Sequence, residues 1–161
     1  MNKEINKSLI ETAVEVFETV AYLFPIPVEK ENINTESISC ENNIFIGINF
    51  QGYASGEIFI CVPNPLSKTI SANMLGIDEE DSNLEQKSLD AIKEVLNIIC
   101  GSLLPKIYGE KPVFQLGTPY VIENIEKNII SNKFADLSNV KLNIDDSIVT
   151  CIFALKNKIK E

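Results

Sequence analysis

Residues 89–101, LDAIKEVLNIICG, carry the pattern that most restricts what this chain can fold into. At about 100° per residue in an α-helix, Leu89, Ile92, Leu96, Ile99 and Leu103 gather on one side, and that stripe must face a core. Asp90, Glu94 and Asn97 fall within an arc of roughly 60° on the opposite side. Gly101 continues their line one turn beyond Asn97. A helical Gly costs about 1 kcal/mol relative to Ala. One physical return is a bare surface that a partner's backbone can approach closely. The plain alternative is a solvated helix face near a frayed end. Asn97 fits that alternative less well, because Asn is a poor mid-helix residue.

A chain of 161 residues is most simply one domain, 1–161, able to bury about two-thirds of its unfolded surface. With 45% hydrophobic residues and a mean hydropathy near zero, the composition is globular. No apolar run reaches the roughly 18 residues a bilayer span needs, and the start MNKEINKS does not read as a signal peptide, so a cytoplasmic location is expected. The net charge of −9 repels phosphate backbones and anionic lipid, which argues against nucleic-acid and membrane partners.

The alphabet is restrictive: there is no His, no Trp and no Arg. Without His the chain lacks the usual general base at neutral pH and the commonest zinc ligand. Without Arg it lacks the planar fork most used to clamp phosphate, although Lys can act as a point charge. Phosphoryl chemistry built on this chain would draw most of its machinery from a partner. Asp90 and Glu94, four residues apart, make only a weak divalent-ion site without further ligands, so no metal is expected. Cys40, Cys61, Cys100 and Cys151 are scattered singly, with no C-x-x-C pair, and read as buried, reduced thiols.

Local signals organise the rest. A first helix is expected over 5–24, with Leu9, Ala13, Val16, Phe17, Val20 and Phe24 as its apolar stripe and Pro25 and Pro27 ending it. IFIGINF and SGEIFICVP read as a hairpin about Gln51 and Gly52. Asn64 and Pro65 offer an N-cap and a first-turn Pro for a helix that runs through Met74 and stops at Gly76. Ser82-x-x-Glu85 reads as a capping box for the central helix, which ends near Pro105 or Gly109. VFQLGTPYVIE should be extended, 124–139 is left as loop, and NVKLNID and SIVTCIFALK form a final hairpin about Asp145 and Asp146. The expected class is α+β, with helices packed on a largely antiparallel sheet.

ETAVEVFETVAY, from Glu11, aligns at a constant offset with DAIKEVLNIICG, from Asp90. Glu15 falls on Glu94, Glu18 on Asn97 and Tyr22 on Gly101, so the chain reads as two degenerate halves. Chance likeness between amphipathic helices is the alternative. If the halves are related, the first helix is silent, because Glu18 offers no carboxamide N–H and adds negative charge, and Tyr22 would obstruct close approach.

Asp90-x3-Glu94-x2-Asn97, followed by Pro119 in LGTPYVIE, resembles the signature of the CheC/CheX/FliY group of chemotaxis phosphatases, the single-motif CheX type being the closer match. The similarity runs from about Ile44 to the last strand, and the first helix also fits. Ser102 departs from the pattern, where Asn often follows the Gly, and leaves Glu94 and Asn97 untouched. The resemblance implies a CheX-like fold of two pseudo-repeats and a partner, a phosphorylated response regulator of the CheY type, whose aspartyl phosphate is hydrolysed. It implies Asn97 as the residue that orients the attacking water, and Glu94 as the one that pairs with the regulator's active-site Lys. Asp90 is implied as a peripheral polar contact, Gly101 as part of the partner-facing surface, and Pro119 as the residue shaping a loop beside the helix. No cofactor of the chain's own is implied; Mg2+ is expected on the regulator. A homodimer formed by sheet extension is implied as well. Two alternatives remain: a non-catalytic module binding a response regulator or a flagellar-switch protein, and a dimeric scaffold.

Overall fold

In the computed structural model, which describes residues 2–29, 40–78, 80, 83–130 and 134–157, the apolar runs become strands and the amphipathic ones helices. Helix α1 spans Asn2–Val20, and the short strand β1, Ile26–Pro27, follows it. A hairpin of β2, Asn43–Gln51, and β3, Ser55–Pro63, leads into α2, Asn64–Leu75. The central helix α3 is Leu84–Tyr108. Two short strands, β4 at Gln115–Leu116 and β5 at Tyr120–Val121, precede a π-helical turn at Glu126–Ile130. The last hairpin is β6, Asp136–Ile144, and β7, Ser147–Asn157. The class is α+β, with the helices on an antiparallel sheet.

The strand order is β1-β6-β7-β3-β2-β4, with β5 also on β2, and it divides the sheet into two related halves. Hairpin β2–β3 and hairpin β6–β7 meet along β3 and β7, where Phe59 lies opposite Ile152. Each half then lends a short strand to the other: β1 pairs β6, and β5 pairs β2. A proline precedes both, Pro25 before β1 and Pro119 before β5. The helices agree with this symmetry. Val16 and Phe17 on α1 and Val95 and Leu96 on α3 are buried, whereas Glu15 and Glu94 are exposed.

Both faces of the central strands are covered. Ile46, Ile48, Phe50, Ile58, Ile60 and Phe153 pack beneath Leu9, Phe17, Ile92, Leu96, Ile99 and Leu103 from α1 and α3. On the other face Phe45, Phe59, Ile152 and Ala154 are covered by Ile122 and Ile129, with Ile125 and Phe134 packed alongside. This explains why SGEIFICVP is a nearly continuous apolar run, as a strand buried on both sides must be. The covering segment lies largely in 124–139, expected as loop; it holds a helical turn, and β6 begins at Asp136.

Several boundaries differ from expectation. The first helix ends at Val20, not near Phe24, because Tyr22 turns left-handed at φ 54° and the Leu23 N–H donates back to the Phe17 carbonyl at 3.1 Å. Phe24 is therefore 74% exposed and leaves the core stripe. At α2 the N-cap is Pro63, one residue before Asn64, while Gly76 closes the helix at φ 65° as expected. At α3 the N-cap is Asn83, and the Ser82 of the expected capping box lies outside the described residues. Gly109, at φ 82°, closes α3, so Pro105 sits inside the helix.

Candidate functional site

Helix α3 packs on β2 and β3 with α1 and α2 against it. Ser88, Ala91, Ile92, Val95, Ile99 and Leu103 are buried, which fixes the rotation of the helix about its axis. Asp90, Glu94 and Gly101 are consequently exposed and Asn97 is half-buried, along the line opposite the sheet. The structure thus gathers four of the five expected site residues on one solvent-facing stripe.

Gly101 carries information of its own. A Cβ built there would meet nothing within 4 Å, so no contact among the described residues requires glycine. Pro105, four residues on, has no N–H, so the Gly101 carbonyl lacks its usual i+4 donor at the surface. The helix gives up stability at both positions and gains an uncovered stretch of backbone beside Asn97.

Pro119 lies off this line, in the connection between β4 and β5 on the outer edge of β2. Its loop is braced on both sides. The Gly117 N–H donates to the Asn49 carbonyl at 2.8 Å. The Tyr120 ring lies over Gly47, where a Cβ would come within 2.9 Å of it, and its hydroxyl donates to the Glu57 carboxylate. Glu57 is only 5% exposed, and burial together with this carboxylate pushes the Tyr120 phenol well above its ordinary value. This pair was not anticipated from the sequence. Its signals were a lone Glu in the apolar run SGEIFICVP and a Gly within the strand IFIGINF.

The line corresponding to the motif on α1 differs. Glu11, Glu15 and Glu18 are exposed, and Glu15 forms an ion pair with Lys106 of α3 at 3.2 Å. Tyr22 lies beyond the end of that helix, so it does not occupy a helical position matching Gly101, a correction to the expected alignment.

Chemically, the α3 stripe offers a carboxylate and a carboxamide one turn apart on the solvent side of the helix. Two clefts lie elsewhere. One lies between α2 and the start of α3, by Asn64, Ser67, Lys68 and Ser88. The other lies between α1 and the end of α3, by Ser8, Glu11, Lys106 and Tyr108. Neither includes Glu94 or Asn97. Among the described residues no group of three or more His, Cys, Asp or Glu side chains could hold a metal ion, and no helix is long and apolar enough to cross a membrane.

Known proteins share this architecture. The CheX protein of Desulfovibrio desulfuricans superposes with a TM-score of 0.71 at 21% identity, covering 94% of this chain and 99% of that one. CheX of Borrelia burgdorferi, solved as a CheX–CheY–BeF3–Mg2+ complex, gives 0.71 at 19% identity, covering 94% and 97%. Thermotoga maritima FliY gives 0.60 at 12% identity, covering 95% and 89%. At these identities the likeness establishes the fold. No curated protein matches. The sequence model of the chemotaxis phosphatase CheX matches residues 44–141, a span that includes Asp90, Glu94, Asn97, Gly101 and Pro119. With more than half its length matched by that model, and a CheX-like fold over 94% of its residues, this chain belongs to the CheX family of chemotaxis phosphatases.

Proposed function

We propose that this chain is a phosphatase for the aspartyl phosphate of a CheY-type response regulator, using α3 as an inserted element. The observation that carries the proposal is the solvent-facing line Asp90, Glu94, Asn97 and Gly101, with a glycine that no contact among the described residues demands. Asn97 would sit beside the phosphoryl group and hold one water in line, its carboxamide both donating and accepting hydrogen bonds. Orientation of this kind needs no titrating base, which suits a chain without His. Glu94 would pair with the regulator's Lys and set the register of docking. Asp90 would make a peripheral contact, and Pro119 would shape the adjoining loop. Mg2+ would belong to the regulator; the complex of the Borrelia relative contains Mg2+ together with CheX, CheY and BeF3. The resemblance also implies a homodimer by sheet extension, and the exposed Tyr22, Phe24 and Ile26 around edge strand β1 favour it.

The test is to add the purified chain to CheY-type regulators of the same genome, phosphorylated with acetyl phosphate, and follow phosphate release. Accelerated release from at least one supports the proposal. Binding without acceleration would identify a non-catalytic module instead.

A further inference from the structure

We propose that the partner regulator is gripped by an apolar ledge at the C-terminal end of α3, built from Pro105, Tyr108, Tyr53 and Val113; this rests on the phosphatase reading above. The ledge continues the motif line. At 100° per residue Tyr108 returns to the direction of Asp90 after about five turns, and Pro105 falls within roughly 60° of it. Tyr53 is 52% exposed and stands against Tyr108, ring centroids 5.8 Å apart. Val113 is 86% exposed and adjoins Phe114, whose ring packs on Tyr108 at 5.4 Å and on Phe50 at 5.9 Å. Phe50 in turn stacks on Phe153 at 5.6 Å. An aromatic chain therefore runs from the core at Phe153 to the surface at Tyr53.

Size decides that a partner seated on Asn97 must cover neighbouring surface. A specific interface buries about 800 Å² per partner, a disc of roughly 16 Å radius. At 1.5 Å per residue Tyr108 lies about 16 Å from Asn97 along the helix, within that reach. Tyr108 is the one aromatic residue of α3 and lies at this end, where Lys106 is also exposed, while the opposite end carries Glu85, Lys87, Asp90 and Lys93. Interface centres favour Tyr, so the footprint should extend toward Tyr108. The Gly101 carbonyl, which Pro105 deprives of its i+4 donor, lies between Asn97 and the ledge on the same path. The occupant is thus a receiver domain whose surface beside its phosphorylation site is apolar.

The experiment uses the full chain and the acetyl-phosphate-treated regulator it acts on, comparing Val113→Asp and Tyr53→Ser with wild type, and Tyr53→Phe and Leu75→Asp as controls. Each ledge variant should raise Kd and KM about tenfold while kcat at saturating regulator stays within about twofold. Tyr53→Phe keeps the ring and should bind like wild type, as should Leu75→Asp at the end of α2, with unchanged thermal unfolding throughout. Unaltered KM in both ledge variants overturns the ledge alone. A Val113→Asp chain that changes its own oligomeric mass but not its affinity for regulator makes the ledge a self-association face and also overturns it. A wild-type chain that neither binds nor dephosphorylates any CheY-type regulator of its genome overturns both readings.

Discussion

The hydroxyl of Tyr120 donates to the carboxylate of Glu57 across Gly47, and this bond ties the short strand β5 to the middle of the sheet. Pro119 directly precedes Tyr120, so the bond also holds the loop that carries this expected site residue. Tyr120→Phe would leave a buried carboxylate without this donor, at a cost of about 1–3 kcal/mol. Glu57→Gln keeps an acceptor for the phenol and should cost less. Urea unfolding of the two variants measures the order, and a more stable Phe variant would contradict the tie.

The first helix should be silent. Glu18→Ala should change stability by under about 0.5 kcal/mol. Glu15→Ala removes an exposed ion pair to Lys106 and should cost no more than about 1 kcal/mol. Neither should alter the rate of regulator dephosphorylation, and loss of activity in Glu18→Ala would place the working site on α1. Tyr22→Gly should stabilise the chain, by up to about 1 kcal/mol, because it relieves a left-handed φ of 54°. A fall in thermal midpoint would contradict that backbone assignment.

The thiols give a pH prediction. Burial pushes Cys61, Cys100 and Cys151 up to about 12 from an ordinary 9.0, with Cys40 adding to the shift at Cys61 and Cys61 to that at Cys151. Native protein at pH 8 should therefore expose Cys40 alone to a thiol reagent at an appreciable rate, and all four after denaturation. Between about 9 and 12 the folded chain keeps protons that the unfolded chain loses. This contribution to stability is full below about pH 9 and falls above it. Urea midpoints that rise from pH 8 to pH 10.5 would contradict this sign.

What the sequence made legible was local. The buried stripe and polar line of α3 follow from one helical period, and the Asp145–Asp146 turn and the Gly76 cap follow from residues that tolerate positive φ. Tyr22 defeats the same reasoning, since a bulky residue at φ 54° is held there by Leu23 and Phe17 rather than by its own preference. Strands β1 and β5, of two residues each, have no period to detect; they exist because the opposite half offers an edge. The cover formed by Ile122, Ile125 and Ile129 was hidden for a related reason, as its burial depends on the distant strands beneath it. The line of Glu94 and Asn97 could be read from spacing, whereas Tyr53, Tyr108 and Phe114 meet only in the folded chain.

Glu94 should act mainly in docking. Glu94→Ala should weaken regulator binding and turnover together, and Glu94→Lys should be worse, because it sets like charges against each other. Titration calorimetry on regulator held in the phosphorylated form by BeF3 and Mg2+ separates these effects. Equal affinity of all three proteins would remove the proposed Lys pairing.

The most direct test of the account is Asn97→Ala, assayed by phosphate release from the regulator that the wild-type chain dephosphorylates. Asn97 is half-buried on the solvent side of α3, so its loss should leave thermal unfolding within about 0.5 kcal/mol. Loss of the oriented water should cost on the order of a hundredfold or more in stimulated rate. The predicted result is a folded protein that still binds regulator but leaves the phosphate to decay at the regulator's own rate. Near-full stimulation by Asn97→Ala would contradict the catalytic assignment.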